Sequence, residues 1–221
     1  PRNRKLIMKI ELPVYKTTLP VKNVVVEFTP LVVKQEKIIA AAKETGQPSD
    51  GYNTLLKILE SNTNIDIKNL SETDLIHLML ELRKKSIGEK FKTGFSCPQT
   101  GQPVSLDVDC SQIALSGNTN SEKIEVDDYI IHIEIPSSFS DVASTIQSIE
   151  NINEKIEFKN LTNEQKAEIV DSLPIKTRDA IKDAMRSLFH YEHVLVYESL
   201  GTKRKIKLSS AEDFFTLLFA M

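Results

Sequence analysis

The 221-residue chain has no tryptophan, seven glycines and two cysteines, and none of its apolar runs reaches the roughly 20 residues that span a bilayer. Each shortage excludes something. Without a spanning run, stable insertion into a membrane is not expected. The opening PRNRKLIMKIEL is basic but lacks the apolar stretch of a secretory signal, so the chain reads as one made and kept in a cytosol. Two cysteines do not make a disulfide framework, and a reducing compartment argues against a Cys97–Cys110 bond. With so few glycines, neither G-x-x-x-x-G-K-[ST] nor G-x-G-x-x-G occurs, which disfavours a phosphate-cradling nucleotide site. A net charge of −3 and a pI near 5.9 give no general attraction for nucleic acid or membrane.

What is present suits a folded core, with 40% hydrophobic and 27% charged residues. Alternation at Ile10, Leu12 and Val14, and again at Val24, Val26 and Phe28, predicts two strands about the turn TTLPVKN. A helix follows, with Thr29 as its cap, Pro30 in its first position and Gly46 as its stop. A second helix is expected over Ser49–Ser61. A third is capped by Ser71, carries Leu75, Leu78, Met79 and Leu82 as a buried stripe, and ends at Gly88. EKFKTGFSC and PVSLDVD form a hairpin about PQTGQ, and KIEVDDYIIHIEI forms another that turns at Asp127-Asp128 and stops at Pro136. The last third is mostly helical: Ser137–Ile149, then a helix boxed by Thr162 and Gln165, then one opened by Pro174. A hairpin about Ser199-Leu200-Gly201-Thr202 precedes a final helix boxed by Ser209 and Glu212.

Hairpins and helices without regular βαβ units indicate an α+β fold, antiparallel β-hairpins with packed α-helices. The polar stretch 114–122 is the expected break between a lobe over 1–113 and a lobe over 123–221, unless the two form one compact domain. The final helix carries Phe214, Phe215, Leu217, Leu218 and Phe219 around nearly its whole circumference, so it must be covered by this chain or by a partner.

The stretch FSCPQTGQPVSLDVDC resembles half a zinc knuckle, but Thr100 stands where the second thiol belongs. The remaining ligand candidates are Cys110, His190 and His193. Cys97 and Cys110 are separated by twelve residues, which is not a knuckle spacing, and His190 and His193 fall on different elements. A hairpin with a small apolar thiol facing inward is the simpler reading. His77 on a helix and His132 on a strand lack the neighbours a catalytic base needs. Of the basic clusters, Arg83-Lys84-Lys85 sits where a helix dipole favours cations, while Lys203-Arg204-Lys205 belongs to a solvated turn. Neither is interleaved with aromatics, so nucleic-acid binding is weakly indicated and an acidic protein surface suits them at least as well. The residues alone indicate a soluble α+β interaction or structural protein, without saying which.

The order of motifs says more. Leu12-Pro13-Val14-Tyr15, Phe28-Thr29-Pro30 and Leu31-Val32-Val33-Lys34-Gln35-Glu36-Lys37 come in sequence. Arg83, Lys85, Ser86, Ile87, Gly88 and Glu89 then lead into a hairpin with Cys97 and Gly101, closed by Val108-Asp109-Cys110-Ser111. A Gly-turn hairpin ahead of Phe214-Phe215 ends the chain. This pattern resembles the baseplate proteins of T4-type contractile-tailed phages over nearly the whole length, most specifically in the R-x-K-S-I-G-E block. Some of that family carry a full Cys-x-x-Cys in the hairpin; with Thr100, this chain has at most a lost metal site.

The resemblance implies a non-enzymatic role in the baseplate hub, as a subunit or as a factor that assembles it. It implies assembly in host cytoplasm and a place in the virion tail. It implies other phage hub and tail proteins as partners, with no cofactor, metal, nucleic acid or small-molecule substrate. The segment Arg83, Lys84, Lys85, Ser86, Gly88 and Glu89 and the helix residues Phe214, Phe215, Leu218 and Phe219 are the expected partner contacts. The alternative is a small metal-binding regulator or enzyme built on the degenerate zinc hairpin.

Overall fold

The helix that Ser71 caps is the axis of the fold. The structure, a computed structural model, describes residues 11–44, 48–135 and 142–219. In chain order the first elements are β1 (Tyr15–Thr18), β2 (Val25–Phe28), α1 (Val33–Lys43), α2 (Pro48–Asn62) and α3 (Glu72–Ser86). The Ser71 hydroxyl accepts the Asp74 N–H at 3.1 Å and starts α3 where the sequence indicates. Leu78, Met79 and Leu82 are buried as expected, and so are Ile76 and Leu80. An amphipathic surface helix would leave these last two in water; a helix covered from several sides must be apolar on several sides.

β1 and β2 pair antiparallel, Tyr15 opposite Phe28. The first strand lies later than the alternation suggests: it takes Tyr15–Thr18, while Leu12 and Val14 are exposed and Ile10 is outside the described residues. Helix α1 also starts late. Thr29 and Pro30 are not its cap and first residue, because the extended segment 29–31 is held from outside. The Thr29 N–H bonds the Asn62 carbonyl, the Asn62 amide donates to the Thr29 and Pro30 carbonyls, and the Leu31 N–H bonds Ser86 Oγ. The helix begins after Val32, whose N–H meets the Gln35 side chain. Gly46, its expected stop, is outside the described residues.

β3 (Lys90–Ser96) and β4 (Pro103–Asp109) form the expected Cys97 hairpin. The two-residue strand β5 (Leu115–Ser116) follows, then β6 (Ser121–Val126) and β7 (Tyr129–Glu134), which turn at Asp127-Asp128 as expected. The next prediction fails. Of the helix expected over Ser137–Ile149, Val142–Thr145 is helical (α4) among the described residues, whereas Ile146–Glu150 is strand β8. Ile146 and Ile149 are buried between β7 on one side and β9 (Lys155–Glu157) on the other, so sheet pairing overrides a helical spacing. Residues 136–141, including the strand stop at Pro136, are outside the described residues.

The four strands β6–β9 carry α5 (Asn163–Ser172) and α6 (Ile175–Met185), the first with the expected Thr162–Gln165 box and the second opened by Pro174. α6 ends at Met185, and His190–Tyr191 is strand β10, paired with β5. β11 (His193–Ser199) and β12 (Thr202–Leu208) form the last hairpin, and α7 (Ala211–Leu218) closes the chain. The α7 box is one residue later than expected. Ser210 Oγ accepts the Asp213 N–H, and the Asp213 carboxylate accepts the N–H groups of Ser209 and Ser210.

Buried apolar residues group in three places. The largest group joins β1–β2, the first three helices, the base of the β3–β4 hairpin and residues 191–219. A second lies between the four-stranded sheet and helices α4–α6. A third, small one lies between the β3–β4 and β11–β12 hairpins. The stretch 114–122 is fastened to 187–191: Asn118 and Thr119 donate N–H groups to the Ser187 carbonyl, and Thr119 accepts from Phe189.

Candidate functional site

The Arg83–Glu89 segment ends α3, and its side chains divide between inside and outside. Arg83 is 5% exposed, with its guanidinium carbon 4.4 Å from the centre of the Phe91 ring. Its Nε and Nη1 find no hydrogen-bond partner among the described residues, and burial pulls its pKa down. Lys84 pairs with Glu81 at 2.8 Å along the same helix. Ser86 Oγ accepts the Leu31 N–H at 2.8 Å and donates to the Leu82 carbonyl at 2.6 Å, so it ties the entry of α1 to the end of α3. Gly88 has φ +122° and donates its N–H to the Arg83 carbonyl, closing the helix in a conformation that suits glycine.

The outward set is Lys85, Ile87 and Glu89. The Lys85 ammonium lies 5.4 Å from the Tyr15 ring centre, Ile87 is 45% exposed, and the Glu89 side chain is exposed while its carbonyl accepts the Cys110 N–H. Val33, 66% exposed, lies two residues beyond the Leu31–Ser86 bond, and Ile87 lies one beyond it. The bond therefore joins the segment that carries the bare Val33 side chain to the one that carries Lys85, Ile87 and Glu89.

The four α7 residues expected at a partner lie inside. Phe214, Phe215, Leu218 and Phe219 are at most 3% exposed and pack in the largest core. Tyr191 and Tyr52 meet Phe214 and Phe215 edge-on, and the Ala211 N–H bonds the buried Glu72 carboxylate at 2.8 Å. An apolar helix is covered here by its own chain.

The Cys97 hairpin resolves into a junction. Its turn lies beside the β11–β12 turn, and Thr100 Oγ1 is 2.8 Å from Ser199 Oγ. Phe95 and Tyr197 meet edge to face at 5.2 Å between ring centres. The Cys97 sulfur is buried, 3.4 Å from the Tyr197 hydroxyl. Burial pushes this thiol up, but the Thr100 and Tyr197 hydroxyls and the Gln99 and Thr100 N–H groups outweigh it and bring it to about 6. Thr100, where a second thiol would stand, makes a hydrogen bond between hairpins instead. The other ligand candidates do not converge on it. Cys110 lies past the far end of β4, a strand of seven residues that spans about 20 Å. His190 Nδ1 bonds the Leu188 carbonyl, and His193 sits opposite Leu208. Among the described residues no group of three His, Cys, Asp or Glu side chains is placed to hold a metal ion.

Sequence reasoning missed the polar knot at the start of α3. Asp74 accepts N–H bonds from Val21 and Lys22 at 2.9 and 3.2 Å, which fixes the β1–β2 turn. Thr73 donates to the Phe189 carbonyl. His77 lies 2.7 Å from Thr17 Oγ1 and 2.8 Å from the Tyr191 hydroxyl, and burial lowers its pKa. Its neighbours make it a structural bridge. Only the run Glu72-Thr73-Asp74, set just ahead of the buried stripe of α3, hinted at this.

The family model described as T4 bacteriophage base plate protein matches residues 12–216. The chain belongs to the T4 base plate family. No curated protein and no solved structure matches it. For a base plate protein the expected setting is the phage tail, with other tail proteins as neighbours. No described helix of this base plate protein is long and apolar enough to cross a membrane. Within this base plate protein the R-x-K-S-I-G-E block has a physical meaning: Arg83, Ser86 and Gly88 build the corner that presents Lys85, Ile87 and Glu89.

Proposed function

We propose that this base plate protein is a non-enzymatic component of the central hub of a contractile tail, as subunit or assembly factor, and that it acts through protein contacts assembled in host cytoplasm. The observation that carries the contact mechanism is the corner at the end of α3. Lys85, Ile87, Glu89 and Val33 are exposed on a backbone held rigid by Ser86 and Gly88. A rigid mix of apolar and charged side chains is what a specific protein contact needs. The four α7 residues belong to the core against which α3 packs, and Arg83 and Ser86 hold the frame of the corner.

Quantitative mass spectrometry of purified virions, set beside the complexes recovered from infected cells, separates the two roles. A hub subunit is present in both. An assembly factor is present in the complexes and absent from virions. Absence from both, with no tail protein bound, would overturn the hub reading.

A further inference from the structure

The β11–β12 hairpin has one face turned to the core and one turned away. Alternation sends Leu195, Tyr197 and Ser199 inward from β11, with Ile206 and Leu208 from β12. The outer face carries Val194, Val196 and Glu198 opposite Lys207, Lys205 and Lys203. Val194 and Val196 are 42% and 54% exposed, and Leu200, at the tip, is 74% exposed. The basic cluster of the sequence is re-sorted here. Arg204 is half-buried with its Nε out of water, whereas Lys203, Lys205 and Lys207 are exposed in one row. Lys207 pairs with Glu192 at 2.6 Å; among the described residues Lys203 and Lys205 make no ion pair.

Lysines on an edge strand commonly serve to keep it from pairing with another chain. Exposed valines do the opposite, and here two of them stand across from the lysine row. The tip adds a second anomaly. Leu200 holds φ +52°, at a turn position where Asn or Gly fits without strain, and its side chain stays in water. An apolar stripe beside unpaired cations on a two-stranded sheet, about as wide as a helix, fits one kind of cover.

We propose that this face docks an acidic amphipathic helix of another base plate protein, with apolar side chains on Val194, Val196 and Leu200 and carboxylates at Lys203 and Lys205. The proposal rests on the base plate reading but uses a surface separate from the end of α3. Charge complementarity sets the sign of the partner, and the valine stripe requires it to be amphipathic rather than merely acidic.

The test is lysine footprinting with acetic anhydride, on the free full chain and on tagged complexes from infected cells, with carbodiimide crosslinking of the same complexes. The expected result is a severalfold loss of labelling at Lys203 and Lys205, none at the exposed Lys57, and crosslinks from Lys203 or Lys205 to Asp or Glu of another tail protein. The doubly substituted chain, Val196→Glu with Lys205→Glu, should keep its circular dichroism and lose the crosslinks. Tail proteins bound with unchanged Lys203 and Lys205 labelling would overturn this docking face and leave the base plate reading standing. Crosslinks solely to a second, isotopically labelled copy of the chain would overturn it in favour of self-association. No bound tail protein would sink both.

Discussion

The Cys97 sulfur and the Tyr197 hydroxyl, one hundred residues apart in sequence, lie 3.4 Å from each other at the junction of two hairpins. The thiol is held at about 6, against an ordinary value of 9.0. A group depressed in the folded chain stabilises it fully above the unfolded value and loses that contribution as pH falls through the folded one. Stability from this site should therefore fall between pH 9 and pH 6. Ultraviolet thiolate absorbance, taken as the difference from Cys97→Ala, should show a midpoint near the low value. Tyr197→Phe should move it upward. A wild-type midpoint at the ordinary value would refute the hydrogen-bonded junction.

The same hairpin should hold no structural metal. Protein purified without chelator should carry no stoichiometric zinc by elemental analysis, and chelator should leave its melting temperature unchanged. A zinc site contributes folding free energy directly, so a loss of stability on chelation would count against Thr100 as a hairpin bridge.

His77 makes a prediction with the opposite ion. Burial lowers its pKa, with Glu81 and Asp74 pulling it up and Lys84 pushing it down. The folded state then binds fewer protons than the unfolded one below pH 6.5, so stability is lost as acid is added below that value. His193 is lowered by burial as well and adds to the same slope. In urea titrations between pH 7 and pH 5, His77→Gln should give a flatter profile than wild type. An identical slope in the variant would show that His77 is not buried between Thr17 and Tyr191.

Gly117 tests whether the 114–122 stretch is fastened as described. It has φ +82°, and a methyl group there would sit 2.2 Å from the Leu188 carbonyl oxygen. Gly117→Ala should destabilise by more than about 2 kcal/mol, because both the backbone angle and the close approach are violated. Gly88→Ala, with open space around it, should cost only about 1 kcal/mol, for its φ of +122° alone. Equal costs in chemical denaturation would contradict the contact with Leu188.

The local features were legible in the sequence. The Asp127-Asp128 and Leu200-Gly201 turns, the Ser71 cap and the Thr162–Gln165 box each depend on residues within a few positions of one another. Long-range contacts were not. Thr29 and Pro30 look like a helix start, but Asn62 holds them extended from over thirty residues away. Ile146 and Ile149 keep helical spacing, but β7 and β9 claim them as strand. The candidate site divides in the same way. Its motif could be read from Arg83 to Glu89, whereas which of those side chains face outward depends on Leu31, Phe91 and Tyr15.

The central claim is that the end of α3 is a contact face for other tail proteins. The direct measurement is recovery of the tagged chain from infected cells, as wild type and as Lys85→Glu with Ile87→Glu, with bound proteins quantified by mass spectrometry. Both positions are exposed, so the variant should stay folded. The account predicts that tail proteins come with the wild-type chain and are lost, wholly or more than tenfold (about 1.4 kcal/mol or more), with the variant. Equal recovery by a folded variant would contradict it.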